Sequence, residues 1–364
     1  MSSPPCKPPT APPSWKRLCR VSAENVAEND IWTIKAALDW TVGYLERKGD
    51  ENPRLSSQWL LAEACGLSRI ELYANFEQPL SLEERDVLRA YVTRRGKGEP
   101  LQYITGEVGF RHITVKVRPG VLIPRPETEV LVSEALALLP AVPKRVAADS
   151  APEPQPSGPD GEPGEKHSPD DPASEDVSRE TSVREDSTAP VLLVADLCTG
   201  SGCIACSLAY EHPLARVLAT DIAPEAVSLA RDNAAALDLS ERVEVLACDL
   251  GEGIDAALLG TLDLVVSNPP YVPTAVLEDI PREVAAFEPA LALDGGDDGL
   301  DVLRRLLPWC KGALKPGGGF AFELHETCLD EAARLATQAG FHDVRIVYDL
   351  TNRPRVLTGR KAVA

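Results

Sequence analysis

The second half of the chain alternates short apolar runs with stretches of helical periodicity, and this alternation restricts the fold more than any other feature. Strands are predicted at residues 191–195, 216–220, 243–247, 262–266, 319–324, 344–347 and 355–358. Helices are predicted between most of these strands. Because such alternation is typical of α/β proteins, we expect a parallel sheet with helices on both faces. Ligands of these sheets bind at the carboxyl ends of the strands, near the switch in strand order.

The ends of the first three strands carry residues that suit a nucleoside with a charged tail. The segment Asp196-Leu197-Cys198-Thr199-Gly200-Ser201-Gly202 follows the first strand and opens a helix, so small residues and N–H groups can meet an anion. Asp221 ends the second strand, where a carboxylate can bind both hydroxyls of a ribose. Asp249 follows the third strand and can accept a hydrogen bond from an adenine amino group, while Leu250 can pack on the ring.

The fourth strand ends in the segment Asn268-Pro269-Pro270-Tyr271. Two consecutive prolines cannot continue a sheet, because each lacks a backbone N–H and has a fixed φ. The free carbonyls and the Asn268 side chain can accept both hydrogens of a planar NH2 group, and the ring of Tyr271 can lie over its face. For Asn-Pro-Pro alone, a strand-terminating turn is an equal alternative. Together the four strand ends fit S-adenosylmethionine, with its methyl group directed at the fourth strand.

Charge and residue types disfavour several other functions. The formal net charge of −19 argues against sequence-independent binding to nucleic acid, which depends on Lys and Arg side chains. Cys203 and Cys206 have the spacing of a redox or zinc motif, but no second cysteine pair completes a zinc site, and we expect no metal. None of the five His residues falls in a strand-end motif, so no His-based general base is predicted.

The sequence carries no signal for a membrane. No stretch reaches the ~18 apolar residues that a bilayer-spanning helix requires. The Pro- and Ser-rich residues 1–16 lack the apolar centre of a signal peptide. We therefore expect a cytoplasmic, monomeric protein with reduced cysteines.

Five segments are predicted along the chain. We expect a disordered tail, a helical bundle for substrate docking, a hairpin linker with the first helix of the catalytic domain, a disordered acidic Pro-rich insert, and the catalytic domain. Their bounds are 1–30, 31–98, 99–140, 141–190 and 191–364. For the bundle, a purely stabilising role is the alternative. We expect the insert to be a solvated linker, and the alternative is that it repels nucleic acid or attracts a basic partner.

The linker has two notable features. Residues 101–105 and 112–117 alternate in the manner of a β-hairpin, and a helix is predicted from 128 to 139. Arg125 lies between two prolines that hold it extended, which makes it a candidate substrate-binding residue.

The strand-end motifs together resemble the amino methyltransferases of the Rossmann-like class. Further stretches resemble one branch, the release-factor glutamine methyltransferases (HemK/PrmC). They are Pro100–Ile104, Ile123–Glu129, Phe287–Pro289, Leu293–Gly296, Asp349-Leu350 and Arg353. The resemblance covers residues 31–140 and 191–361. It implies a class I methyltransferase fold, in which a seven-stranded sheet follows a small N-terminal helical bundle and a β-hairpin linker.

The resemblance also implies an activity and the residues for it. This family methylates the Gln side-chain amide in the Gly-Gly-Gln motif of bacterial class I peptide-release factors, which the helical domain and hairpin dock. Carried over by position, Cys198–Gly202, Asp221 and Leu250 line the cofactor, and Asn268–Tyr271 hold the Gln. Cys198 stands where most members have Gly, and the same Cys occurs in a sister branch that methylates a large-subunit ribosomal protein.

An amide nitrogen is a poor nucleophile, so we expect catalysis by positioning and electrostatics. The Asn268 side-chain oxygen and the Pro269 carbonyl would accept the two amide hydrogens, with Tyr271 packed on the amide plane. Three alternatives stay open. They are the ribosomal-protein glutamine methyltransferase, an adenine or guanine amino methyltransferase on nucleic acid, and a ribosome-associated scaffold without turnover.

Overall fold

The structure is a computed structural model, and it describes residues 32–141, 190–278 and 280–363. Four helices at the N-terminal side form a bundle around a shared apolar core that includes Leu38, Leu60 and Leu88. Two of these helices begin at reciprocal caps, in which Ser68 pairs with Glu71 and Ser81 pairs with Glu84. The helices are α1 (Ile34–Arg47), α2 (Pro53–Cys65), α3 (Arg69–Ala74) and α4 (Leu82–Arg95).

A β-hairpin follows the bundle, but its first strand lies later than predicted. Strands β1 (Glu107–Phe110) and β2 (Ile113–Lys116) pair antiparallel. Residues 101–105 form a short helix, α5 (Leu101–Thr105), and the prediction of a strand there is wrong. Tyr103 and Ile104 are neighbours and both are buried, which a helix turned against the core permits and a half-buried strand does not. Five alternating residues are too few to distinguish the two periods.

The central sheet has seven strands in the order β5-β4-β3-β6-β7-β9-β8. The five strands on one side are mutually parallel, with registers such as Ala195 opposite Leu218 and Val265 opposite Phe320. The strands are β3 (Leu192–Leu197), β4 (Ala215–Asp221), β5 (Val243–Ala247), β6 (Leu262–Ser267), β7 (Leu314–Glu323), β8 (Phe341–Tyr348) and β9 (Pro354–Lys361).

The last strand departs from the all-parallel prediction. Strand β9 runs antiparallel to both of its neighbours, β7 and β8. Residues 349–353 alone connect β8 to β9, and so short a connection cannot cross over to start a parallel strand. Asp349 stabilises this connection, since its carboxylate accepts hydrogen bonds from the backbone N–H groups of Thr351 and Arg353.

Helices cover both faces of the sheet. One face packs against α6, α7, α8 and the hairpin through residues such as Leu131, Leu208 and Val115. The opposite face packs against α10 and α11 through residues such as Leu306 and Leu329. The helices are α6 (Thr128–Leu138), α7 (Cys203–Glu211), α8 (Pro224–Ala236), α9 (Arg282–Phe287), α10 (Asp301–Ala313) and α11 (Leu329–Gln338).

Two predictions fall on chain segments outside the described residues. They are the disordered tail, residues 1–30, and all but the end residues of the acidic insert, residues 142–189. Within residues 32–141, 190–278 and 280–363, no helix is long and apolar enough to cross a membrane.

Candidate active site

A pocket opens at the carboxyl ends of β3, β4, β5 and β6, where the strand order reverses between β3 and β6. The walls come from the loops after these strands, from the segment before α6 and from the start of α10. Ten predicted site residues line it: Arg125, Cys198, Thr199, Gly200, Ser201, Asp221, Asp249, Leu250, Asn268 and Pro270. The topology therefore brings together residues that are far apart in the sequence.

Asp196, near the end of β3, anchors the loop that follows this strand. This carboxylate is completely buried, and its Oδ2 accepts hydrogen bonds from the Thr199 hydroxyl at 2.6 Å and from the Ala205 N–H at 3.1 Å. The other oxygen, Oδ1, has no partner. Burial raises the pKa of Asp196 to about 7, although the two hydrogen bonds oppose the rise. Cys198 in the same loop has a φ of 61°, a conformation that Gly adopts without strain.

Asp221 lies at the end of β4 and faces the loop after β3. Its Oδ2 accepts from the Gly200 N–H and its Oδ1 from the Ala223 N–H, each at 2.9 Å. Burial raises the pKa of Asp221, while these backbone hydrogen bonds lower it. A carboxylate oxygen can accept more than one hydrogen bond, so Asp221 can still bind hydroxyls at the pocket.

Asp249 and Leu250 form the next part of the wall. The Asp249 carboxylate is paired with the guanidinium of Arg305 at 2.6 Å, and Arg305 also lines the pocket. Leu250 is buried and adopts a φ of 48°, which turns the chain sharply after β5. The apolar side chains of Ile222 and Val302 complete a surface suited to a flat ring.

Asn268 sits at the end of β6 with its amide group oriented by a neighbour. Its Nδ2 donates to the Thr128 hydroxyl at 3.3 Å, whereas its Oδ1 accepts no hydrogen bond in the described part of the chain. No described backbone group donates to the Pro269 carbonyl either. Both oxygens are therefore without a hydrogen-bond donor in the described part of the chain; Asn268 lines the pocket, and Pro269, the next residue, is buried.

Tyr271 is anchored by a residue that the sequence analysis missed. Its hydroxyl donates to Oε1 of Glu323, the last residue of β7, at 3.1 Å. Glu323 is only 2% exposed, and burial raises its pKa. Burial and the neighbouring Glu323 also raise the pKa of Tyr271, so its hydroxyl stays protonated. Glu323 ends β7 at the same edge of the sheet as the other strand-end residues. Its position at a strand end could therefore have identified it from the sequence.

A short parallel bridge holds the chain after the two prolines. Val272 pairs with Asp294: the Val272 N–H donates to the Leu293 carbonyl at 2.8 Å, and the Gly295 N–H donates to the Val272 carbonyl at 2.9 Å. Residues 293–296 therefore act as a backbone clamp on the turn. Their motif supported the family resemblance, but the sequence alone assigned them no role.

Arg125 lines the pocket from the segment before α6. One of its nitrogens, Nη2, pairs with Glu288 Oε1 at 2.6 Å, and the Glu288 side chain is 1% exposed. This pair ties the segment before α6 to the segment after α9. Arg125 therefore has a partner within the protein itself, in addition to its position in the pocket wall.

Three predicted site residues do not line the pocket. Gly202 has a φ of 79° and caps α7, and a Cβ there would lie 3.0 Å from the Cβ of Ala230. Pro269 is buried, and Tyr271 points its hydroxyl at Glu323. Pocket residues that the sequence analysis did not select include Val121, Leu122, Ile222, Ala223, Leu291, Val302 and Arg305.

Cys203 and Cys206 lie in the first turns of α7, and Cys203 also lines the pocket. Both are buried, and burial raises the pKa of each thiol to about 12. A reactive redox cysteine needs a lowered pKa, so this environment disfavours thiol chemistry. Within residues 32–141, 190–278 and 280–363, no three His, Cys, Asp or Glu side chains are placed to hold a metal ion.

The geometry agrees with similarities to known proteins. Family models described as the PrmC N-terminal domain and the methyltransferase small domain match residues 36–106 and 187–283. A release factor glutamine methyltransferase of Geobacter sulfurreducens is 38% identical and aligns with 91% of this chain and 98% of its own. Proteins of the same name from Rhodopirellula baltica (33% identical) and Moorella thermoacetica (37%) align with 91% and 89% of this chain and 97% and 96% of theirs. At this identity and coverage, the chain belongs to the release factor glutamine methyltransferase family.

Proposed function

We propose that this protein transfers a methyl group from S-adenosylmethionine to the side-chain amide nitrogen of the Gln in the Gly-Gly-Gln motif of class I peptide-release factors. The observation that carries the proposal is the pair of free acceptors at the end of β6, Asn268 Oδ1 and the Pro269 carbonyl. Two acceptors on consecutive residues match in number the two hydrogens of a primary amide. Family membership identifies the amide as that of a release-factor glutamine.

The pocket residues fit S-adenosylmethionine. Asp221 offers a carboxylate for the ribose hydroxyls, and Ile222, Leu250 and Val302 offer apolar surface for the adenine. The N-terminus of α7 and its small-residue loop suit a carboxylate. Oδ1 of the buried Asp196 has no partner, and above its pKa of about 7 the charge of this carboxylate adds negative potential behind a ligand that carries a net positive charge.

The residues at the end of β6 supply the positioning. When bound, S-adenosylmethionine supplies an activated methyl group on a positively charged sulfur. Asn268 Oδ1 and the Pro269 carbonyl accept the substrate's amide hydrogens, which orients the nitrogen lone pair and draws electron density onto the nitrogen. Tyr271 holds the turn through its hydrogen bond to Glu323. The amide nitrogen gains a methyl group and loses one proton, which leaves to solvent or to a neighbouring carbonyl.

The helical bundle suits the docking of a protein substrate. It exposes large apolar side chains that a bound protein could cover, including Trp59 at 43%, Ile70 at 83% and Leu82 at 72%. Arg95 at the end of α4 pairs with Glu283 in α9, which joins the bundle to the segment beside the pocket. A release factor held by the bundle would therefore be held close to the active site.

The test uses the purified protein, methyl-labelled S-adenosylmethionine and two release factors. One is wild type, and in the other the Gln of the Gly-Gly-Gln motif is replaced by Ala. We expect label on the wild-type factor alone, which identifies both the reaction and the target atom. Label on both factors would contradict the assigned atom. Label on neither, with cofactor binding confirmed by calorimetry, would contradict the proposed substrate and direct the assay to ribosomal protein and then to nucleic acid.

A further inference from the structure

Helix α10 contacts the loop after β5 at two points. Arg305 Nη2 donates a hydrogen bond to Asp249 Oδ2 at 2.6 Å. One helical turn further along, the indole ring of Trp309 packs against Gly251, where an added Cβ would overlap the ring. Residues at positions i and i+4 lie on one face of a helix, so α10 presents a single face to this loop. The position of the loop therefore depends on α10 as well as on β5.

Asp249 lies in the pocket wall with only one of its two oxygens engaged. Oδ2 accepts from Arg305, whereas Oδ1 accepts no hydrogen bond from any residue in the described ranges. Arg305 and Val302, one turn earlier on α10, line the pocket beside Asp249. An Arg side chain has N–H donors and no acceptor, so the atom that faces it must be an acceptor. The other oxygen of Asp249 is then left for a ligand.

The pair of Arg305 and Asp249 adds little to the stability of the fold. The Arg305 side chain is 52% exposed and that of Asp249 is 35% exposed. Water screens charges at such positions, and exposed ion pairs contribute little to the free energy of unfolding. The pair does, however, restrict the rotation of the Asp249 carboxylate, which a ligand in the pocket would meet.

We propose that Arg305 is a positioning residue that makes the pocket selective for adenine over a base with a 6-oxo group. Arg305 holds the Asp249 carboxylate so that its free oxygen accepts from the 6-amino group of adenine. In hypoxanthine a carbonyl oxygen replaces this amino group, and two acceptors would then face each other. The inference rests on the cofactor of the proposed function and does not depend on which substrate is methylated.

The binding of two ligands tests the inference. One is S-adenosylhomocysteine, which is S-adenosylmethionine without the transferred methyl group. The other is S-inosylhomocysteine, which has hypoxanthine in place of adenine. Calorimetry gives the Kd of each, and the readout is the ratio of the two Kd values. A general disturbance of the pocket would weaken both ligands alike and leave this ratio unchanged.

Three variants on α10 separate the role of Arg305 from that of a nearby charge. Arg305→Met removes the guanidinium and keeps the aliphatic stem, whereas Arg305→Lys retains a charged donor. Arg304→Met is the matched control, because Arg304 is the preceding residue of the same helix and pairs with Asp298 and Asp301 outside the pocket wall.

We expect the wild type to bind S-adenosylhomocysteine about 30-fold more tightly than S-inosylhomocysteine, within the range for one polar group left without a partner. In Arg305→Met this ratio should fall to about threefold, because the released carboxylate can turn away from the 6-oxo group. Arg305→Lys should keep the ratio within about twofold of wild type. Arg304→Met should leave it unchanged.

A substitution at Asp249 should reverse the preference. In Asp249→Asn one oxygen becomes an NH2 group, and Arg305 can pair only with the remaining oxygen. The NH2 group should then face the base and donate to a 6-oxo group, so S-inosylhomocysteine should bind more tightly than S-adenosylhomocysteine. When Asp249→Asn is combined with Arg305→Met, the amide can rotate to suit either base, and the preference should disappear.

Several results would overturn the inference. They are an unchanged ratio in Arg305→Met, an equal fall of the ratio in Arg304→Met, and a retained preference for adenine in Asp249→Asn. If the wild type does not bind S-adenosylhomocysteine, both the inference and the proposed cofactor are wrong. If the ratios are as expected but the wild type does not methylate release factors, the proposed substrate is wrong and the role of Arg305 stands.

Discussion

Gly295 packs directly against the backbone of Tyr271: a Cβ atom at position 295 would lie 2.7 Å from the Cα of Tyr271. Real Cβ atoms do not approach backbone so closely, so any larger residue must displace the turn. The same side of the turn is bordered by Gly299, where a Cβ would lie 2.4 Å from the Tyr271 carbonyl oxygen. The turn after β6 is thus packed against two positions, 295 and 299, that only Gly can occupy without displacing it.

The first prediction concerns this clamp. Gly295→Ala should shift the backbone at Tyr271 by several tenths of an ångström or more and lower kcat up to about 100-fold, because reacting groups tolerate little misplacement. The S-adenosylmethionine affinity should change little, since Asp221 and Leu250, the residues that we propose bind it, follow other strands. Gly312→Ala is the matched control, because Gly312 lies in α10 with no atom within 4 Å of an added Cβ. Equal kcat in the two variants would contradict the clamp.

The second prediction separates chemistry from cofactor binding. Asn268→Ala removes one of the two acceptors for the substrate amide and should lower kcat roughly 100-fold, the effect typical of losing one preorganised hydrogen bond in an active site. Calorimetry should give a Kd for S-adenosylmethionine within about threefold of wild type. Equal losses in kcat and in cofactor affinity would refute this division of roles.

The third prediction is that a substitution at Asp221 weakens the binding of S-adenosylmethionine. In Asp221→Asn one side-chain oxygen becomes an NH2 group, which must face the N–H of Gly200 or of Ala223. Two N–H donors that face each other cannot form a hydrogen bond, so the contact of Asp221 with the loop after β3 or with Ala223 is lost. One acceptor for the ribose is lost as well. We expect the Kd for S-adenosylmethionine to rise at least about tenfold, or about 1.4 kcal/mol. Asp330→Asn, on the exposed first turn of α11, should leave the Kd unchanged.

The placement of Asp221 and Asn268 in one pocket could be predicted from the sequence because a parallel sheet places all its strand ends at one edge. The neighbours of a strand-end residue are then the ends of the other strands, which the apolar runs identify. Glu323 also ends a strand, yet its partner Tyr271 comes from another segment, and the importance of Glu323 follows from that contact. The helix at 101–105 was missed because five residues carry no distinct period. The direction of β9 follows from the length of a connection, which becomes clear only when the strand bounds are known.

The fourth prediction compares two acidic partners of one arginine. Arg95 Nε pairs with Asp50 at 2.6 Å, and its Nη1 pairs with Glu283 at 3.0 Å. The Asp50 side chain is 4% exposed and that of Glu283 is 40% exposed. Breaking a buried pair leaves a charge without water, so Asp50→Ala should lower the free energy of unfolding by about 3 kcal/mol or more. Glu283→Ala should lower it by less than about 1 kcal/mol.

Urea denaturation of both variants measures these two costs. Asp50 also accepts hydrogen bonds from the Asn52 N–H and the Ser56 hydroxyl, which adds to the cost of its removal. Similar losses in Asp50→Ala and Glu283→Ala would show that burial does not control the strength of these pairs.

The fifth prediction concerns pH and Asp196. Its pKa is about 7 in the folded protein against a usual 3.8, so between these values the folded state holds a proton that the unfolded state releases. Stability therefore falls as pH rises through this range, by up to about 1.4 kcal/mol per pH unit from this one group. Asp196→Asn cannot titrate at this position. From pH 4.5 to 7, the unfolding free energy of the wild type should fall relative to that of Asp196→Asn, and above pH 7 the difference between them should level off. A difference that stays constant over this range would show that Asp196 is ionised throughout.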